Sequence, residues 1–158
     1  MLRFLILTVA AVALLGVAAC GDDDDGATAT PSLTQSPSPS PSPFPNVCLP
    51  NPDPATAAFQ ILDQPAPSSA VTSPLTVSGQ VNYFEATYQI AIYDAGGTAL
   101  VEVFGTAQQP DIGVIGPFTH DVAFAVTGPT PACLWVYESS AMDGSPVHVG
   151  QVPLVLLP

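Results

Sequence analysis

The chain has 158 residues, 19 prolines and 13 acids against a single base, for a formal charge of −12. That length holds one domain once the tails are set aside. With Arg3 as the only base, there is no phosphate-neutralising surface, Schiff-base lysine, arginine clamp or Walker lysine, which argues against nucleic-acid binding and against the enzymes built on those groups.

In chain order, residues 4–19 (FLILTVAAVALLGVAA) are apolar or small, with Thr8 the only polar side chain. The run is shorter than the ~18–20 residues of a spanning helix and suits the apolar region of a secretory signal, with Arg3 in front of it. It ends in Val17-Ala18-Ala19-Cys20-Gly21, which resembles the bacterial lipobox. The resemblance implies cleavage after residue 19 and acylation of the Cys20 thiol. Residues 1–19 are thus expected to be a signal peptide and Cys20 a lipid anchor in the bilayer, with two or three acyl chains holding it stably. The alternative is an uncleaved membrane anchor with an incidental cysteine.

Residues 20–54 read as a tether. Asp22–Asp25 is an acidic run whose surroundings do not match an EF-hand loop, because Gly21 and Ser32 stand where acids are needed. Residues 26–47 are mostly Ala, Thr, Ser and Pro, with four Ser-Pro repeats over residues 36–43. Such a segment has little to bury against its ordering entropy. As a proline-rich extended spacer it would reach up to roughly 80 Å.

From residue 55 to 158 apolar and polar residues alternate between turn signals, which predicts an antiparallel β-sandwich of about seven strands. A short first strand is expected near Phe59–Leu62. Leu75, Val77, Gly79 and Val81 alternate with Thr76, Ser78 and Gln80. Phe84, Ala86, Tyr88, Ile90 and Ile92 form the next inward set, followed by a hairpin at Asp94-Ala95-Gly96-Gly97. Residues 99–106 return, Phe118–Val126 form another strand, and residues 133–139 and 147–157 complete the set around a turn at Asp143-Gly144-Ser145-Pro146.

These residues also carry a family likeness: Pro65-Ala66-Pro67, Val71-Thr72-Ser73-Pro74-Leu75-Thr76-Val77-Ser78-Gly79, Phe84-Glu85-Ala86-Thr87, Asp94 with Gly96-Gly97, Gly116-Pro117-Phe118, Val136-Tyr137-Glu138-Ser139 and Asp143-Gly144-Ser145. In this order and spacing the chain resembles Gmad2, the immunoglobulin-like domain of bacterial spore germination, over residues 59–157. The resemblance implies an immunoglobulin-like sandwich in an extracytoplasmic lipoprotein, with no catalytic residues to carry over.

Three cysteines are present. With Cys20 acylated, Cys48 and Cys133 remain, and in an oxidising compartment they are expected to form a disulfide tying the end of the tether to the sixth strand. Free thiols or metal ligands are the alternative. His120, Cys133, Met142 and His148 are the residue types of a copper site without its loop spacing. Ser139, His120 and Asp143 make a triad on paper, without a nucleophile elbow. Glu85, Glu138 and Asp143 are candidates for weak calcium binding. Trp135 and Tyr137 alternate with Leu134 and Val136, so with Tyr83 they form either an exposed binding surface or a face covered by the second sheet.

The expectation is therefore a non-enzymatic envelope lipoprotein, with no cofactor and no resident metal, whose domain binds an envelope protein or glycan in a sporulation- or germination-related role. The alternatives are an accessory ligand-binding module of an envelope enzyme system and a metal-carrying secreted domain.

Overall fold

The computed structural model describes residues 44–158. The expected signal peptide, the Cys20 anchor and most of the tether lie outside the described residues.

Among the described residues eight strands form two sheets. They are β1 (Gln60–Gln64), β2 (Ser69–Val71), β3 (Leu75–Val81), β4 (Thr87–Asp94), β5 (Ala99–Thr106), β6 (Gly116–Val122), β7 (Thr130–Ser139) and β8 (Pro146–Leu156). One sheet has the order β1-β3-β6 and the other β2-β8-β7-β4-β5. All pairings are antiparallel except β2 with β8. Among the described residues no helix is long and apolar enough to cross a membrane.

The core follows the predicted alternation except at Phe84, which is exposed. Leu75, Val77 and Val81 of β3, with Phe118 and Val122 of β6, face Tyr88, Ile90 and Ile92 of β4. Ala132, Leu134 and Val136 of β7, with Val152, Leu154 and Leu156 of β8, complete the layer. The Val, Leu, Ile and Phe side chains among them each contribute roughly 1.5–3 kcal/mol when fully buried. Gly79 sits where β1 crosses closest to β3, so that a Cβ there would run into the Ile61 carbonyl. The predicted hairpin is built by Asp94. Its Oδ1 accepts the Gly96 and Thr98 amides at 2.8 and 2.9 Å, and Gly97 takes φ +80°, which glycine adopts without a Cβ clash.

Three details refine the expectation. First, the expected sandwich of about seven strands has eight among the described residues, because β2 is a three-residue edge strand too short to show alternation. Second, residues 84–86 are not strand but a 3₁₀ turn. Glu85 and Ala86 hold φ of 55° and 56°, outside the extended region, and the Phe84 amide donates to Glu138 Oε1 at 2.8 Å. Third, β6 stops at Val122. Phe124 and Val126 pack on the core from beyond the strand, and the Phe124 amide donates to Ser73 Oγ.

The folded body also begins ahead of residue 55. The Asn51 side chain donates to the Val149 carbonyl at 2.8 Å. The His148 amide donates to Asp53 Oδ2 at 2.9 Å, and the Val149 and Ala55 amides bond the Asp53 and Val149 carbonyls. The end of the expected tether is thereby a strap laid along β8.

Candidate binding surface

Strand parity decides the fate of β7. Leu134 and Val136 point into the sandwich and are fully buried, so Cys133, Trp135 and Tyr137 point to the opposite, outer face of the five-stranded sheet. On that face register places Tyr93 beside Cys133, Ala91 beside Trp135, and Gln89 beside Tyr137. Ala91, Tyr137 and Val149 form a second, smaller apolar cluster, with Tyr93 and Trp135 packed against it. Trp135 meets Tyr93 edge-on at 5.1 Å between ring centroids and Tyr137 at 6.4 Å, arrangements favoured by the ring quadrupoles.

The cover over this face is the strap, not the second sheet. Cys48 and Cys133 form a disulfide, with 5.0 Å between their Cα atoms. Gln151 Nε2 donates to the Leu49 carbonyl at 3.1 Å. Between strap and sheet lies a cleft of about 170 Å³ lined by Val47, Leu49, Tyr93, Gly97, Cys133 and Trp135. Its walls are largely apolar, and the Trp135 Nε1 is buried without a hydrogen-bond partner.

Tyr137 is 7 % exposed; its hydroxyl donates to Gln89 Oε1 at 3.1 Å, and the Gln89 amide donates to Ser139 Oγ. Burial first, then the charges of Tyr93 and Glu102, push the Tyr137 phenol up to about 12. Tyr93 is raised by the same order of causes, burial and then Glu102.

The three aromatics singled out from the sequence do not share one surface. Trp135 is half-buried and lines the cleft, and Tyr137 packs edge-on against Trp135. Tyr83 is 3 % exposed and belongs to the main core, where its hydroxyl donates to the His148 carbonyl at 2.9 Å. Its phenol is raised by burial, with Glu138 adding to the effect. The member that the sequence reading missed is Tyr93. It shares parity with Ala91 on β4, and its position just before the Asp94 turn hid the aromatic pairing. Farther along the same outer face, Phe104 of the edge strand β5 is 77 % exposed.

The remaining candidate sets are dispersed. Cys133 is held in the disulfide, and Met142 is exposed on the turn before β8. His120 meets the Tyr88 hydroxyl at 3.2 Å. The His148 ring stacks on Phe59 at 3.8 Å. Its backbone φ of 51°, a costly region for a non-glycine residue, is held by the bonds to Asp53 and Tyr83 and by that stack. The copper set is therefore not assembled. Ser139 is engaged by Gln89, and Asp143 caps its own turn by accepting the Ser145 amide and hydroxyl, which lowers its carboxyl. Neither the Ser139–His120–Asp143 triad nor an acidic calcium cluster is built. Among the described residues no group of three or more His, Cys, Asp or Glu is positioned to hold a metal.

A solved structure, CopC from Methylosinus trichosporium OB3b, shares 22 % identity over 63 % of this chain and 95 % of that one, with a TM-score of 0.37. No curated protein matches the chain. The family model for Gmad2, the immunoglobulin-like domain of bacterial spore germination, matches residues 61–145. That stretch runs from β1 to the turn before β8, more than half of the sequence, and the chain belongs to the Gmad2 family.

Proposed function

We propose that this protein is a non-catalytic binding module of the bacterial envelope, held at the membrane by acylated Cys20. Its partner is an envelope protein or glycan, in a process related to sporulation or germination. The observation that carries this reading is the outer face of the five-stranded sheet, which holds the Tyr93–Trp135 cleft and, farther along, the exposed Phe104. Exposed aromatic residues and an apolar cleft on one face are the usual components of a binding interface. The Cys48–Cys133 disulfide supports an oxidising, extracytoplasmic setting. The lipobox-like run ending in Cys20 supports the anchor.

Two measurements test the two halves. Intact mass of the protein from its native membrane should equal residues 20–158 plus acyl chains, and should rise by the mass of two hydrogens on reduction. A mass matching the unmodified full chain would remove the anchor. For binding, a photoreactive phenylalanine analogue placed at Phe104 should cross-link an envelope component that the same analogue at Thr76, on the opposite sheet, does not. Equal or absent cross-linking at the two positions would remove the outer face as the docking surface.

A further inference from the structure

The aromatic cleft has two acids near it on its sheet, Asp94 of β4 and Glu102 of β5. Glu102 is exposed on β5, and register sets Glu102, Ala91, Trp135 and Gln151 in one row across the outer face. Tyr93 lies on the adjacent row of β4, opposite Ala99. Among the described residues the Glu102 carboxylate accepts no hydrogen bond, and residues 44–158 contain no Lys or Arg to pair with it. The other acid near the cleft, Asp94, is already occupied by the Gly96 and Thr98 amides. Aromatic faces and apolar walls, with one unpaired carboxylate two strands from Trp135 on the same sheet face, form the complement of an alkylammonium group, whose stem is apolar and whose head is a point charge.

We propose that the cleft receives a lysine side chain presented by a partner protein, its stem between Val47, Leu49 and the rings of Tyr93 and Trp135 and its ammonium directed to Glu102. The assignment deepens the docking-surface reading and rests on it. A second copy of the folded domain is not the occupant, because residues 44–158 offer no base. Arginine fits less well: its five N–H donors would meet one carboxylate and otherwise apolar lining. The formal charge of −12 draws basic partners toward the whole surface, and the cleft supplies the place where one base is read.

Trp135 is the only tryptophan in the chain, so its emission reports directly from the cleft. The full-length protein in non-ionic detergent is titrated with acetyl-Gly-Lys-Gly-amide and with the same peptide carrying norleucine, the uncharged analogue. The lysine peptide is expected to give a saturable change and to bind about fivefold more tightly than the norleucine peptide. Glu102→Gln should weaken the lysine peptide by about threefold, leaving the norleucine peptide and the thermal midpoint unchanged. Equal binding of the two peptides, indifference to Glu102→Gln, or no saturable response would overturn the assignment. Tighter binding of spermidine than of the lysine peptide would also overturn it, by assigning the cleft to a free polyamine. If the peptides fail while cross-linking at Phe104 retains its partner, only the lysine assignment is lost. If the lysine peptide binds as expected while the two cross-linking positions behave alike, the cleft's preference for lysine is kept and its presentation by a docked envelope partner is lost.

Discussion

Breaking the Cys48–Cys133 bridge tests how the strap and the sandwich depend on each other. The two cysteines are 85 positions apart, and the loop-closure relation assigns such a cross-link about 4–5 kcal/mol through the denatured chain. At roughly 2.1 cal/mol/K of unfolding entropy per residue, that lowers the thermal midpoint of a domain this size by roughly 15–20 °C. The value is an upper figure for a structural reason. Without the bridge, residues 44–50 keep the Gln151–Leu49 bond as a tie to the sheet, whereas residues 51–55 keep their bonds to His148 and Val149. Fraying of the first half returns some conformational entropy to the folded state and offsets part of the loss. Cys48→Ala/Cys133→Ala is the suitable variant, since Cys133 is buried and a serine would bury an unpaired hydroxyl. Thermal and urea unfolding, followed by circular dichroism, gives the stability. The single tryptophan gives the local result: loss of Val47 from the cleft and loosening of Leu49 should shift Trp135 emission to the red. A stability loss below ~1 kcal/mol would refute the loop-entropy reasoning, and an unshifted Trp135 emission would refute the bridge as the clamp of the cleft.

The other expectations concern the sandwich. Gly79→Ala should lower the urea midpoint by the equivalent of ~1–3 kcal/mol, because the new methyl meets the Ile61 backbone and β1 must move away from β3; an unchanged midpoint would show that β1 is only loosely held. Ile90→Ala, at a fully buried site on the central β4, should cost ~2–5 kcal/mol in chemical denaturation. In alkali, all four tyrosines have phenols raised by burial, so the unfolded chain releases protons near pH 10 that the folded chain still holds. Stability is then intact below pH 10 and is lost above it; for Tyr137 the loss runs up to its folded value of about 12. Ultraviolet titration of the native protein should show tyrosinate appearing only with, or after, unfolding, and an ordinary ionisation near pH 10 with circular dichroism unchanged would contradict the burial of these rings.

Where a strand has one core face and one wet face, period-two alternation fixes its register, and β3 is readable residue by residue from Leu75 to Val81. The same rule fails where burial is two-sided. On β4 and β7 the outer set, Ala91, Tyr93, Cys133, Trp135 and Tyr137, is also covered or half-covered. Alternation then shows which residues share a face but not what lies over it. The sequence reading could offer only open water or the second sheet. The actual cover is a segment assigned to the tether, because Val47, Leu49, Asn51 and Asp53 carry no periodic pattern. Their ordering comes from side-chain and backbone bonds to Val149 and His148 nearly a hundred positions away, which no local window contains. The disulfide was the one legible trace of that contact. The short β2 escaped for a related reason: its parallel pairing with β8 is set by tertiary position, and three residues are too few to alternate.

The strap also explains why a protein this acidic keeps aromatic rings on an outer sheet face. Left bare, Trp135, Tyr137 and Tyr93 would extend the apolar area that begins at Phe104 and run across three neighbouring strands, β5, β4 and β7. Patches of that kind invite edge-to-edge association, most of all beside an unpaired edge strand such as β5. Covering Tyr137, half-covering Trp135 and placing Glu102 on the edge reduces the open area to a cleft and a rim. The charge that guards β5 is then the same charge that completes the cleft. Glu102→Gln accordingly separates the two roles: lysine-peptide affinity falls in the monomeric protein, while any self-association at high concentration rises. A variant that lost affinity and stayed as monomeric as the parent would confine Glu102 to recognition alone.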